Sequence, residues 1–78
     1  MSAETSWLTQ HVREIVGYPA PGEVFRDITP LLGDGVAFRR AIDQLVARFE
    51  VEQVDRVIGM EARGFIVAAP VAIALGAG

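Results

Sequence analysis

Seventy-eight residues suit one small domain or a piece of a larger one, and a chain of this size hides only about 60% of its unfolded surface. An apolar content of 51% excludes a disordered chain, and the absence of Cys excludes a disulfide framework and a thiol nucleophile. The net charge of -3, with both signs interspersed, leaves no basic stripe for nucleic acid, and the single His11 cannot build a metal cage by itself.

The start, Met1 to Thr5, has no basic region leading into an apolar core, so no secretory signal is expected there. Leu8, Val12, Ile15 and Val16 recur at helical spacing and predict a helix from about Ser6 to Val16. Thr5 or Ser6 would cap it, Gly17 would stop it, and His11 would lie on its surface. Tyr18 to Gly22 holds two prolines without backbone donors and reads as an extended connector closing in a Pro-Gly turn. Glu23 to Ile28 has short β character, and Thr29 to Gly33 reads as one helical turn, with Thr29 as cap and Pro30 at its first position. Asp34 opens the clearest helix, about Val36 to Glu50, whose apolar face is Phe38, Ala41, Ile42, Leu45, Val46 and Phe49. Val54 to Met60 then reads as a strand, followed by an apolar helix from near Gly64 to Leu75. The uncharged run from Gly64 is shorter than the ~20 residues a spanning helix needs and contains Pro70, so a buried helix is expected rather than a membrane segment. Helix, strand, turn and helix in that order predict an α/β fold with the strand inside a parallel sheet.

The junction Gly59-Met60-Glu61-Ala62-Arg63-Gly64-Phe65 carries the chemistry. A turn from a strand into a helix N-terminus lies where open α/β sheets place ligands, and the first amides of the helix face an anion with the positive end of its dipole. Arg63 adds a guanidinium fork suited to phosphate oxygens, and Gly64 keeps a side chain out of the approach. The spacing of Gly59 and Gly64 fits neither a triphosphate-wrapping loop nor a dinucleotide fingerprint. From spacing alone, Glu61 and Arg63 can equally be solvated loop charges, and Phe25 an ordinary apolar anchor under a loop.

Two long motifs in register resemble the adenine phosphoribosyltransferase family of type I purine phosphoribosyltransferases. Pro21-Gly22-Glu23-Val24-Phe25-Arg26-Asp27-Ile28-Thr29-Pro30-Leu31-Leu32 is similar to its N-terminal signature, and Val54 to Ile66 is similar to the next one. The likeness runs from about Ile15 to the last residue and implies the N-terminal part of that fold: a parallel sheet flanked by helices, preceded by a hood segment. On this reading residues 1–78 form an incomplete single domain, with 1–33 the first helix and purine hood and 34–78 the helix-strand-helix of the core. The resemblance implies that Val24 and Arg26 read the edge of adenine, largely through backbone groups, while Phe25 packs near the ring. It implies that Glu61, Ala62, Arg63 and Gly64 grip pyrophosphate, with a non-proline cis bond near Glu61-Ala62.

The implied reaction joins adenine to phosphoribosyl pyrophosphate to give AMP, with Mg2+ on the phosphorylated substrate, in a cytoplasmic homodimer serving purine salvage. The family's acidic pair leading into a Thr/Gly-rich phosphoribosyl loop is not in this sequence. Nor is the later flexible loop that supplies the acid. No catalytic residue and no metal ligand is therefore expected within these residues, and the chain is expected to be a truncated part, inactive alone. Alternative readings are a transferase for another purine base, a non-catalytic phosphoribosyl-binding or regulatory module, and a bare structural piece with exposed interface.

Overall fold

A computed structural model describes residues 4–78. Met1 to Ala3, part of the start where no secretory signal is expected, lie outside the described residues. The chain divides into two compact units, residues 1–38 and 39–78, with the boundary inside one helix.

The first unit does not begin with the long helix that the sequence predicts. A 3-10 helix covers Ser6–His11, starting after Thr5 without a side-chain cap, and the chain then turns into strand β1, Arg13–Val16. Strand β2, Val24–Asp27, pairs with it antiparallel in the register Arg13↔Asp27, Glu14↔Arg26, Ile15↔Phe25 and Val16↔Val24. The correction has a local cause. Leu8, Val12, Ile15 and Val16 match a helical period, but the β-branched end of that run finds a ladder partner nearby in the chain, Val16 pairing with Val24 across the turn. Gly17 does adopt a left-handed conformation (φ 79°), as the opening corner of the hairpin loop rather than as a helix stop, and its N–H donates to the Glu23 carbonyl at 2.7 Å. The Tyr18–Pro19 bond in that loop is cis.

Helix α1, Thr29–Leu32, is the single turn expected, and it contacts the 3-10 helix. Thr29 is its first residue instead of its cap, because the Asp27 carboxylate two residues earlier accepts the Thr29 N–H. Helix α2, Gly35–Phe49, begins where the sequence places it. Asp34 caps it, accepting from the N–H groups of Val36 and Ala37 at 3.1 Å each.

In the second unit the α2 residues Leu45 and Phe49 face Val57 to Met60 and the α3 residues Val67, Ala68 and Val71. Helix α3, Ala62–Leu75, starts two residues before the position expected and runs on through Pro70. It ends at Gly76, where the Ala77 N–H reaches back to the Ala72 carbonyl at 2.9 Å. The stretch Val54 to Met60 forms no ladder of its own, so the strand expected there is extended chain with almost no partner among the described residues. Its one backbone neighbour is Gly78. The Gly78 N–H donates to the Asp55 carbonyl (3.1 Å) and the Val57 N–H donates to the Gly78 carbonyl (2.7 Å). Bonds that flank one residue in this way are the parallel pattern, centred on Arg56. Extended chain, helix α3 and the return beside the same chain thus make a strand-helix-strand connection reduced to its first pair of bonds.

Candidate functional site

β2 carries the three residues to which the sequence reading gives the base. Alternation along the strand puts Val24 and Arg26 on one face with Val16 and Glu14, and Phe25 and Asp27 on the other with Ile15 and Arg13. Val24 and Arg26 are exposed and Phe25 is half-buried. The Phe25 ring meets Tyr18 edge-to-face, with centroids 5.5 Å apart and planes at 88°. Arg26 Nε lies 3.8 Å from Glu14 Oε1, an exposed pair worth little in itself. With Leu8, Thr9, Val12 and Glu14, Arg26 lines a shallow cavity of about 130 Å³.

The end of the same strand holds a residue that sequence reasoning passed over. Asp27 is the one buried charged side chain among the described residues, 7% exposed. Its carboxylate accepts from the Arg13 guanidinium on β1 and from the Thr29 N–H at 3.0 Å, and the Thr29 hydroxyl lies 2.8 Å from both oxygens. The Thr29 backbone bond and the Arg13 and Thr29 side chains hold its pKa at about 2, below the usual carboxylate value. The signal was present in the sequence: an Asp two residues before Thr-Pro is a common way to satisfy the first amide of a helix.

The anion junction lies in the second unit. Glu61 stands in extended conformation (φ −142°, ψ 174°) as the residue before α3, and its side chain makes no cap. Ala62, Arg63 and Gly64 form the first turn of the helix, with no acidic residue among them. The first helical bond is donated by Phe65 N–H to the Glu61 carbonyl at 3.0 Å, so the amides of that turn lie ahead of the helical ladder. Glu61, Ala62 and Arg63 are exposed and Gly64 is half-buried. The four residues named from the sequence therefore stand together at one helix N-terminus. Val24, Phe25 and Arg26 stand together on β2 in the other unit.

Two details of the junction differ from the sequence reading. The cis bond expected near Glu61-Ala62 is absent: among the described residues the cis bond is Tyr18–Pro19. An extended Glu61 followed by a trans bond already delivers the chain to the first helical residue, and trans is the low-energy form for a non-proline residue. The second difference concerns which glycine the turn requires. A Cβ on Gly59 would sit 2.8 Å from the Gly64 carbonyl oxygen, 2.9 Å from its carbon and 3.0 Å from the Phe65 nitrogen. A Cβ on Gly64 would meet Gly59 only at ordinary contact, 3.5 Å and 3.6 Å. The incoming chain thus lies directly on the helix start, and Gly59 is what permits it. Two glycines five apart across a strand-to-helix turn are the sequence trace of that contact.

Known proteins resemble the chain through both segments. No family model matches it. An adenine phosphoribosyltransferase from Acidothermus cellulolyticus is 57% identical over 68 residues, 87% of this chain and 38% of that protein. One from Thermobifida fusca is 54% identical over 79 residues, 100% of this chain and 45% of that protein. This chain belongs with the N-terminal portion of the adenine phosphoribosyltransferases. Solved structures of the family agree. The enzyme of Rhodothermus marinus superposes with a TM-score of 0.83 at 39% identity, covering 96% of this chain and 43% of that one. The enzyme of Saccharomyces cerevisiae, complexed with an imino-altritol bisphosphate and adenine, gives 0.85 at 27% identity over 100% of this chain and 48% of that one. The chain therefore spans less than half the length of these relatives, and its α/β architecture is part of the type I phosphoribosyltransferase fold. No helix among the described residues is long and apolar enough to cross a membrane.

Proposed function

We propose that this chain supplies the base-recognition strand and the pyrophosphate turn of a purine-salvage enzyme that transfers phosphoribosyl from phosphoribosyl pyrophosphate to adenine, giving AMP and pyrophosphate. The observation that carries the reading is the turn in which Gly59 closes on Gly64 and delivers Glu61, Ala62, Arg63 and Gly64 to the start of α3. Pyrophosphate leaves this reaction as an anion while the sugar becomes cationic. Preset amides, a helix dipole and the Arg63 guanidinium favour the leaving anion without reorganising at the moment of transfer. Val24 and Arg26 offer strand backbone to the edge of adenine, and Phe25 an aromatic surface beside the ring. The relatives' adenine-bound structure supports the choice of base.

Among the described residues no three His, Cys, Asp or Glu side chains gather as cation ligands. Magnesium enters bound to phosphoribosyl pyrophosphate, as part of the substrate, and this chain meets it through the phosphates, as the likeness to adenine phosphoribosyltransferases supports. Residues 1–78 then form part of one phosphoribosyltransferase domain, working in the cytoplasm as a homodimer. The test is AMP formation from adenine, phosphoribosyl pyrophosphate and magnesium by the full-length protein. Activity lost in Arg63→Ala supports the reading. Substrate binding without any turnover in the unaltered protein sinks it.

A further inference from the structure

The base-reading residues do not hold themselves in place. Val24 and Arg26 are exposed, and their strand ends one residue later at Asp27, which is buried. Leaving a carboxylate in such a place is costly unless its oxygens are satisfied, and here both are, by groups from two other elements. Arg13 reaches it from β1, its direct partner in the register, while Thr29 reaches it from the first residue of α1 through both backbone and hydroxyl. An apolar side chain would also fill the position, but packing is non-directional. Charge-assisted hydrogen bonds fix the roll of the strand about its axis. That roll decides where Val24 and Arg26 present their backbone groups and where Phe25 presents its ring, because the two faces alternate residue by residue.

We propose that Asp27, acting through Arg13 and Thr29, is a positioning residue that locks the roll of β2 and so sets how tightly Val24, Phe25 and Arg26 hold the purine base. This rests on the function proposed above. Asp27 touches no substrate in this scheme. Its contribution is the pre-set orientation of the strand, so its loss weakens the base and leaves the phosphorylated substrate, gripped in the other unit, unaffected.

The experiment is steady-state kinetics on the full-length protein, with adenine and phosphoribosyl pyrophosphate varied separately at a temperature well below unfolding. Asp27→Asn keeps the shape but removes the charge, Arg13→Gln removes the partner on β1, and Thr29→Ala removes the hydroxyl while Thr29→Ser restores it. The expected result for the first two is a rise of about tenfold in KM for adenine, the loss typical of a charge-assisted bond. KM for phosphoribosyl pyrophosphate stays within about twofold, a change too small to count as a lost contact. Thr29→Ser falls near the unaltered protein and Thr29→Ala between. Should Asp27→Asn not fold, Arg13→Gln and Thr29→Ala decide the matter, since both side chains are largely outside the core. Equal changes in the two KM values, or none in either, overturn the positioning role while leaving the transferase reading intact. An unaltered protein that makes no AMP from adenine overturns both.

Discussion

Replacing Gly59 with Ala tests the turn that delivers the anion-facing residues. The added methyl would be 2.8 Å from the Gly64 oxygen, 2.9 Å from the Gly64 carbon and 3.0 Å from the Phe65 nitrogen. All three are backbone atoms of the first turn of α3, so no side chain can swing aside, and relief requires moving the helix start or the incoming chain. Overpacking of this kind costs about 1–3 kcal/mol. The same methyl at Gly64 meets Gly59 at 3.5 Å, an ordinary contact, and exchanges a helical Gly for Ala, a gain of up to about 1 kcal/mol. The two substitutions, five residues apart, are therefore expected to have opposite signs. Urea unfolding of the full-length protein, with midpoint and slope compared at equal slope, reads the difference. Calorimetric titration with pyrophosphate, run beside it, should show weaker binding for Gly59→Ala because the helix start has moved. A Gly59→Ala protein as stable as the parent, or a Gly64→Ala protein less stable than Gly59→Ala, would refute the close approach.

Other predictions address the remaining parts. Arg63→Lys keeps the charge but loses the planar fork, so pyrophosphate affinity should fall about tenfold, with Arg63→Ala falling further; titration of both variants checks this, and equal affinity in all three would remove Arg63 from the site. Asp34→Ala removes the acceptor for the Val36 and Ala37 amides and should cost about 1 kcal/mol in chemical unfolding, with Asp34→Asn close to neutral. Asp27 has its pKa lowered from 3.8 to about 2 in the folded chain. Its stabilising contribution is therefore complete above the unfolded value and is lost as pH falls from about 4 to about 2. The acid limb of the unfolding curve should flatten in that window in Asp27→Asn, and an unchanged limb would show that the carboxylate is not held in this way. The 78-residue chain by itself leaves Ile58, Met60 and Phe65 at 83%, 88% and 61% exposure, so light scattering should detect self-association that a detergent below its micellar concentration reduces.

The sequence by itself determined the elements whose signals are local. Asp34 capping α2 depends on one side chain and two amides within three residues, and α3 depends on a continuous apolar run closed by Gly76. The helix start after Glu61 was legible for the same reason, since the turn and the first residues of α3 adjoin in the chain. What the sequence left ambiguous was settled by partners. Leu8, Val12, Ile15 and Val16 satisfy a helical period, yet Arg13–Val16 became a strand because Val24–Asp27 supplied a ladder. Val54 to Met60 has the composition of a buried strand, yet among the described residues it belongs to no ladder and Asp55 and Val57 pair their backbone with Gly78, because backbone pairing is a property of two segments and not of one. The burial of Asp27 and the contact of Gly59 with Gly64 likewise came into being only when residues apart in the chain met. Periodicity records which face a segment can bury; the hydrogen-bond and steric demands of its neighbours decide which of the allowed conformations it takes.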